Sequence, residues 1–459
     1  MSSDDRKSRE ASEGAGIGRT PVTRRDFLKV AGVAGAALGV AGGGSVLAAC
    51  GSSSGGGSSS GGGRTIKVGF VAPLTGPLAA FGEADTFCVE QWKTSVKDGL
   101  KCGDGQTHPI EFIMKDSQSD SNRAATVAGD LMTNDGVDVM MVASTPDTVN
   151  PVADQAEALG VPCVSTDCPW QAYYFGRGAT PDKPFTWTYH FFWGAEDDTA
   201  NILAMWDALK TNKTVGEMWP NDADGLARAD PKTGAPPLLA KAGYKVVDGG
   251  RYQDGSEDFS PQISKFKGAG CDIVNGVMVP PDFTNFWKQA YQQGFRPMAA
   301  TIGKALLFPS ALEALGDIGY GLTTPVWWSP NHPFKSSLSG QTCQQFADAF
   351  TASTTKQWTQ PLLHYAVFEV VADALKRTKN VDDKQSILDA IKATNLETIT
   401  GNVNWQAGPP QNPVPNVSKT PLVGGQWVKG TDWPFDLKVV TNGTASMVPV
   451  QQDITAIKY

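Results

Sequence analysis

The sequence has few of the residues and motifs that enzyme chemistry requires. Its four histidines are dispersed, and none belongs to an HExxH motif or another paired-ligand motif. No GxxxxGK[ST] loop is present to hold phosphate, and the two GxSxG matches, Gly51 to Gly55 and Gly57 to Gly61, both lie in a Gly/Ser tract. We therefore predict a protein without a cofactor, a bound metal ion or an enzymatic activity, although a site built from distant loops stays open.

Positive charge is also scarce. The chain has 39 Lys and Arg against 47 Asp and Glu, for a formal net charge of −8. The leader up to Lys29 contributes +2, so the remainder carries −10. This acidity argues against nucleic acid as a partner.

Cysteine is sparse after Cys50, and no two cysteines have CxxC spacing. Two interpretations stay open for these residues: disulfides, with Cys163 and Cys168 as plausible partners, or small buried thiols. The six cysteines are Cys88, Cys102, Cys163, Cys168, Cys271 and Cys343.

One apolar stretch, Val30 to Ala49, follows a polar leader that contains the twin arginine Arg24-Arg25. The stretch is rich in Gly and Ala, and it is too weakly hydrophobic to predict a membrane span. Residues 1–49 are similar to a twin-arginine signal peptide. The alternative is an uncleaved transmembrane helix.

Leu47-Ala48-Ala49-Cys50 resembles a bacterial lipobox, in which the cysteine thiol receives a diacylglyceryl group. Two or more acyl chains hold a protein stably on a bilayer, because each buried CH₂ contributes about 0.8 kcal/mol. Gly51 to Gly63 contains only Gly and Ser and would span roughly 20 Å as a flexible coil. We therefore predict a lipid anchor at Cys50 and a linker over residues 50–63, with the protein at the outer face of the bacterial cytoplasmic membrane.

Short apolar strands alternate with amphipathic helices through the remaining residues, which number about 395. Ile66 to Ala72 predicts a strand, and Val89, Trp92 and Val96 follow at helical spacing before Gly99. The pattern returns at Ser260 to Gly294. Such alternation predicts an α/β fold with parallel sheets, and the length suits two sheets better than one.

Several stretches resemble branched-chain amino acid-type solute-binding proteins of ABC importers. The resemblance extends from about Thr65 to about Trp427. The stretches that carry it are Ile66 to Pro77 with Ala80-Phe81-Gly82, Asp258 to Ile263, Pro280-Pro281-Asp282 with Lys288-Gln289-Ala290 and Gln293-Gly294-Phe295, and Gly401 to Trp405.

This resemblance implies a type I periplasmic binding protein fold, with two doubly wound α/β lobes, three crossovers and a ligand cleft. The lobe boundaries that we expect are 65–191 with 326–405, and 192–325 with 406–459. The expected crossovers lie near 191–193, 323–325 and 405–408. Closure of the two lobes around a ligand would then be recognised by a permease.

The resemblance also implies ligand-binding residues. Ser144 and Thr145 match a loop that holds a ligand carboxylate, although a helix cap is the simpler interpretation of such a pair. Phe81 falls where the family often has an aromatic side chain. Val279, at the end of a predicted strand, belongs to the same expected set.

Other positions depart from the family pattern. After the fourth strand the loop contains Ser165, Thr166, Asp167 and Trp170 in place of small residues and threonine. Asp222 stands where an aromatic residue is common. The acidic residue that binds a ligand ammonium falls in Thr301 to Lys304, which offers no carboxylate. Asp222 or Asp167 could substitute for it, and Lys304 could instead be an ordinary solvated lysine.

The expected ligand is a small carboxylate-bearing molecule, either a hydrophobic amino acid or an aromatic or aliphatic acid. Seven aromatic residues in or beside the predicted cleft loops favour a partly apolar ligand; they are Trp170, Tyr173, Tyr174, Trp193, Trp219, Trp327 and Trp328. The expected partners are this ligand, the permease subunits and the membrane, with the protein itself monomeric. A ligand sensor for a receptor and an exported hydrolase are the alternative functions.

Overall fold

Strands and helices alternate along most of the described chain. The computed structural model describes residues 62–232 and 234–459, which belong to one compact unit spanning Ser59–Tyr459. The predicted signal peptide, Cys50 and most of the linker lie outside the described residues. The strands are β1 (Ile66–Ala72), β2 (Leu100–Lys101), β3 (Thr107–His108), β4 (Ile110–Asp116), β5 (Val139–Ala143), β6 (Cys163–Thr166), β7 (Thr188–Phe191), β8 (Thr214–Pro220), β9 (Lys245–Tyr252), β10 (Ile273–Met278), β11 (Ala299–Lys304), β12 (Thr323–Val326), β13 (Asn395–Thr398), β14 (Gly401–Asn404), β15 (Val417–Ser418), β16 (Val423–Lys429) and β17 (Phe435–Thr441).

The α-helices follow the strands that they cover, and Gly160 and Gly270 end two of them in the left-handed conformation, with φ of 65° and 66°. Three short 3₁₀ helices cover Ala305–Leu307, Gly316–Gly319 and Gln360–His364. The α-helices are α1 (Asp85–Ser95), α2 (Ser121–Thr133), α3 (Pro146–Leu159), α4 (Trp170–Tyr174), α5 (Ala195–Asp207), α6 (Ala223–Ala229), α7 (Ala235–Lys241), α8 (Ser260–Ala269), α9 (Pro280–Gln292), α10 (Pro309–Glu313), α11 (Cys343–Thr354), α12 (Tyr365–Arg377) and α13 (Lys384–Lys392).

The first of the two large sheets has the strand order β15-β7-β6-β5-β1-β4, and all of its pairings are parallel. The first strand, β1, lies between β4 and β5, so the chain winds outward from β1 in both directions. The order therefore reverses between β1 and β5, where a doubly wound sheet opens a crevice at its carboxyl edge.

The second large sheet has the order β17-β16-β12-β11-β10-β8-β9. Strands β8 to β12 are parallel to one another, and β16 and β17 are added antiparallel at one end. Here β8 lies between β9 and β10, so the order reverses beside β8. Each sheet thus has its own crevice, and the predicted type I periplasmic binding protein fold with two α/β lobes is confirmed.

The central strands of both sheets are covered on both faces, which explains why β1, β5, β8 and β10 are largely buried runs without alternation. In β1, Phe70 packs with helices α1 and α12, and its neighbour Val71 packs on the opposite face with α2 and α3. In β10, Val274 and Ile273 likewise pack on opposite faces of the sheet, each in a different apolar cluster of the second lobe.

The third crossover lies later in the chain than the sequence predicts. The expected boundary put residues 406–459 in the second lobe, but Val417 and Ser418 pair with His190 and Phe191 of the first sheet. The chain passes to the second sheet between Ser418 and Val423. A two-residue strand is too short for an alternation of apolar and polar residues to be detected in the sequence.

The six cysteines of the described chain are all buried and form no disulfide, so the thiol interpretation applies to them. Among the described helices, none combines the length and the apolar character that a membrane crossing would need.

Candidate functional site

The carboxyl edges of the two sheets face each other across a small cavity. Its lining residues lie near or after the carboxyl ends of strands β1, β5, β6 and β7 of the first sheet and β8, β10, β11 and β12 of the second. The cavity volume is about 30 Å³, enough for one or two water molecules. It is lined by Phe81, Thr145, Pro146, Asp167, Pro169, Phe192, Trp193, Asp224, Arg228, Val277, Gly303, Lys304, Leu307, Pro325 and Trp327.

Several buried hydrogen-bond donors at or beside this cavity have no partner within the described residues. They are the hydroxyls of Ser144 and Thr145 and the indole N–H groups of Trp193 and Trp327. Thr145 occupies the N-cap position of α3, yet its side chain forms no cap hydrogen bond. A buried unpaired donor costs about 1–3 kcal/mol, so these groups are poised to bind an acceptor that enters the cleft.

Lys304 lies inside the cleft, at the end of β11. Its side chain is 5% exposed, and its Nζ is 2.5 Å from Asp222 Oδ2 and 3.7 Å from Asp224 Oδ2. Burial alone would lower the pKa of Lys304, but Asp222 and Asp224 outweigh burial and raise it. The interpretation of Lys304 as a solvated lysine is therefore wrong. Its φ of 58° is uncommon for a residue with a Cβ, so the surrounding contacts hold the backbone there.

Arg228 is the second buried cation of the cleft. It contacts Asp198 Oδ2, and its Nε donates to Asp224 Oδ1 at 3.3 Å. Burial would lower the pKa of Arg228, but the two carboxylates raise it. Lys304 and Arg228 are thus both neutralised by aspartates of the second lobe.

His364 connects two buried aspartates of the first lobe. Its Nδ1 is 2.7 Å from Asp85 Oδ1 and its Nε2 is 2.8 Å from Asp167 Oδ2. Burial would lower the pKa of His364, but the two carboxylates raise it to about 10, so the ring is an imidazolium that donates both hydrogen bonds. Burial raises the pKa of Asp167 to about 6 against the opposing effect of His364.

Direct contacts join the two lobes around this cavity. The rings of Phe81 and Phe308 meet edge to face, with centroids 4.9 Å apart. The backbone N–H of Ala223 donates to Asp147 Oδ1 at 3.4 Å, which links the first residue of α6 to α3. The structure therefore has a closed cleft.

Four of the ten residues predicted to bind ligand line the cavity: Phe81, Thr145, Asp167 and Lys304. They come from both lobes, and two of them, Asp167 and Lys304, are charged. Ser144 lies next to Thr145 and is fully buried, but it is not part of the lining.

The other five predicted residues do not line the cavity, and each has a structural role elsewhere in the fold. Ser165 hydrogen-bonds His190 Nδ1 at 2.9 Å, and Thr166 donates to the Phe191 carbonyl at 2.6 Å. Trp170 donates to Glu196 Oε1 at 3.2 Å. Asp222 caps α6 through Gly225 N at 2.6 Å as well as holding Lys304, and Val279 is the buried N-cap residue of α9.

Sequence reasoning missed Asp224, Arg228 and His364. The spacing of Asp224 and Arg228, i and i+4 on a helix that follows a strand, is a signal that could have suggested their pairing. No local signal exists for His364, because its partners Asp85 and Asp167 lie 279 and 197 positions away.

A family model described as "Periplasmic binding protein" matches residues 65–415. The chain belongs to the periplasmic binding protein family. The Leu/Ile/Val-binding protein homolog 3 of Brucella melitensis is 22% identical over 354 residues, which cover 74% of this chain and 87% of the relative. The resemblance to branched-chain amino acid-type binding proteins is thereby confirmed.

Two solved structures share the fold of this binding protein. The leucine-binding protein LivK of Thermotoga maritima has a TM-score of 0.64 at 19% identity and covers 82% of this chain and 99% of its own. A solute-binding protein of an ABC transporter from Rhodopseudomonas palustris, in complex with p-hydroxybenzoic acid, has a TM-score of 0.66 at 16% identity and covers 83% and 97%. The relatives are binding proteins, in agreement with a function without catalysis.

The export prediction is also confirmed. A model of the twin-arginine translocation signal matches residues 21–41, which contain Arg24 and Arg25. The protein is thus a binding protein with a signal for passage out of the cytoplasm.

Proposed function

We propose that this protein is a lipid-anchored solute-binding protein that captures a small carboxylate-bearing ligand and delivers it to the permease of an ABC importer. The observation that carries the ligand class is the pair of unpaired hydroxyls, Ser144 and Thr145, at the start of α3. A helix N-terminus favours an anion, and hydroxyls without partners supply the hydrogen bonds.

The walls of the cleft support a ligand with an apolar part. Phe81, Phe192, Trp193 and Trp327 supply aromatic surface to the cavity, and their hydrocarbon faces suit an aliphatic or aromatic side chain. The names of the similar proteins agree with this class: the leucine-binding protein and the complex with p-hydroxybenzoic acid both concern carboxylic acids with an apolar portion.

Capture would proceed by opening and closing of the lobes. The cavity of about 30 Å³ is smaller than any such ligand, so the lobes must separate for entry. A ligand that contacts both lobes then favours the closed state by its differential contacts. The permease would recognise that closed shape.

The test is a thermal-shift screen of amino acids and of aromatic and aliphatic acids, followed by calorimetry of the hits. A ligand that binds only the folded protein stabilises it by RT ln(1 + [L]/Kd). In the Ser144→Ala, Thr145→Val double variant, we expect affinity to fall by about 1.5–3 kcal/mol for each hydroxyl that meets the carboxylate.

The matched control is Thr166→Val, which removes a buried hydroxyl at the end of the neighbouring strand that is already bonded to Phe191. This variant should lose stability without losing affinity. Wild-type affinity in the double variant would show that the carboxylate binds elsewhere.

A further inference from the structure

Asp85, His364 and Asp167 form a hydrogen-bonded chain from the interior of the first lobe to the cleft. All three side chains are fully buried, and both ring nitrogens of His364 are engaged. Because an imidazolium has two N–H donors and both are used here, the ring cannot bind anything else. His364 therefore fixes the orientation of the Asp167 carboxylate.

The remaining oxygen of Asp167 has no partner. Asp167 lines the cavity, is 3% exposed and has its Oδ1 unpaired within the described chain. Asp85 also has an unpaired oxygen, Oδ2, but Asp85 is not among the cavity-lining residues. Asp167 is thus the unsatisfied carboxylate that a molecule in the cleft can reach.

The carboxylates that contact Lys304 and Arg228 are committed to these two cations. Asp222 holds Lys304 and caps α6, and Asp224 contacts both Lys304 and Arg228. Asp198 holds Arg228. Neither cation of the second lobe is free to move to Asp167 without abandoning its own aspartates.

Charge balance favours a cationic group at Asp167. The two hydrogen-bonded groups at the cleft contain five carboxylates and three cations. The carboxylates are Asp85, Asp167, Asp198, Asp222 and Asp224, and the cations are His364, Lys304 and Arg228. This excess of negative charge would disfavour a ligand that carries only a carboxylate, since like charges repel strongly where water is excluded. A ligand with both a carboxylate and a cation avoids that cost.

We propose that Asp167, oriented by His364 and Asp85, binds the protonated amine of the ligand from the first lobe. The inference rests on the proposed function and narrows it to ligands that carry both a carboxylate and an ammonium group. Asp167 is the binding residue, and His364 and Asp85 are positioning residues.

The experiment compares three compounds on each of two carbon skeletons by calorimetry with the wild-type protein. The aliphatic set is L-leucine, 4-methylpentanoate and 3-methylbutylamine, and the aromatic set is L-phenylalanine, 3-phenylpropanoate and 2-phenylethylamine. On at least one skeleton we expect the amino acid to bind tenfold or more tightly than the acid, because a charged hydrogen bond at a buried site is worth at least about that factor.

Asp167→Asn should abolish this preference, lowering amino acid affinity at least tenfold while leaving acid affinity unchanged or raising it, because one negative charge is removed from the cleft. His364→Gln should reduce the ratio of amino acid affinity to acid affinity, whereas a general loss of stability would leave this ratio unchanged. The matched control is Glu369→Gln, a fully buried carboxyl of the first lobe that accepts from Ser337 N and Ile399 N outside the cleft. This control should keep the ratio of the wild-type protein.

The outcomes separate the inference from the proposed function. If the acids bind as tightly as the amino acids, or if Asp167→Asn keeps the preference, the ammonium site is overturned and carboxylate capture stands. If the amines bind in an Asp167-dependent manner and the acids do not, the ammonium site is supported and carboxylate capture fails. If none of the six compounds binds, the ammonium site is overturned for ligands of this size.

Discussion

Buried charged residues of this protein differ in how completely they are paired. Lys304 and Arg228 each have two aspartates, whereas Glu217 in β8 has one weak partner. Glu217 is 1% exposed, its Oε2 accepts from Trp219 Nε1 at 3.1 Å, and its Oε1 has no partner among the described residues. Burial raises the pKa of Glu217 to about 7 against the opposing hydrogen bond from Trp219.

Glu217→Gln should therefore stabilise the protein at neutral and alkaline pH. The pKa of Glu217 is near 4.5 in the unfolded protein and about 7 in the folded protein. As the pH increases between these two pKa values, the unfolded state loses its proton more readily, and the free energy of unfolding decreases. The variant escapes this cost, so its advantage should be absent below about pH 4.5 and complete above pH 7, at up to about 3 kcal/mol. Urea unfolding from pH 4 to pH 8 measures the difference.

The control for this prediction is Glu111→Gln, which removes an exposed carboxylate from β4. We expect little change in the free energy of unfolding for this variant. A Glu217→Gln variant with no pH-dependent advantage would indicate that the carboxylate is solvated in the native state.

At the scale of elements, loops of the two lobes share one apolar cluster. The cluster that packs β1 against α1 and α12 also contains Val279, Leu307 and Phe308, which follow strands of the second sheet. Together with the contact of α6 with α3, this packing holds the carboxyl edges of the sheets together. The closed arrangement is thus stabilised by side chains of the protein itself.

Phe308→Ala should shift the protein toward an open form. The substitution removes the edge-to-face contact with Phe81, which is worth about 0.5–1.5 kcal/mol beyond area burial. We expect a larger radius of gyration by X-ray scattering without ligand, because less of the protein is then in the closed state.

Phe286→Ala is the matched control, since Phe286 is fully buried within the second lobe and contacts Phe259 and Phe283. It should lower stability without expanding the molecule. Identical scattering profiles for wild type and Phe308→Ala would mean that the cross-lobe ring contact does not hold the cleft closed.

At the scale of the whole molecule, the binding unit and the proposed site of lipid attachment are separate parts of the chain. The family match begins at residue 65, and the twin-arginine match ends at residue 41. Between them lie Cys50 and the Gly/Ser tract. Removal of the proposed lipid should therefore change location without changing ligand binding.

Cys50→Ala should move the exported protein from the membrane fraction to the soluble fraction, because diacylglycerol can no longer be attached. Fractionation followed by immunoblotting measures the distribution. Cys271→Ala, which removes a buried thiol of the binding unit, should leave the protein on membranes. A Cys50→Ala protein that stays with the membrane would favour retention of the apolar segment of the signal.

The fold was largely predictable because its signals are local. Ile66 to Ala72 is a strand with the predicted bounds, and the helix that contains Val89 and Trp92 ends at Ser95, before Gly99, whose φ is positive. Parallel sheets follow from such repeated units. The third crossover was misplaced because β15 has two residues, too few for a pattern.

The candidate site was less predictable because its contacts are long-range. Thr145 and Phe81 follow strands that flank the reversal of the first sheet, and general rules for doubly wound sheets point there. The pairing of Lys304 with Asp222 joins residues 82 positions apart, and that of His364 with Asp85 joins residues 279 positions apart. Only the folded chain brings these charges together.

The apolar cluster shared by the lobes has a thermal consequence. Separating the lobes wets Val279, Leu307 and Phe308, and hydration of apolar surface carries a positive heat-capacity change. The free-energy cost of separating the lobes should therefore be smallest at low temperature, where hydrophobic association weakens. The rate at which cargo leaves the protein should accordingly reflect growth temperature as well as the chemistry of the cargo.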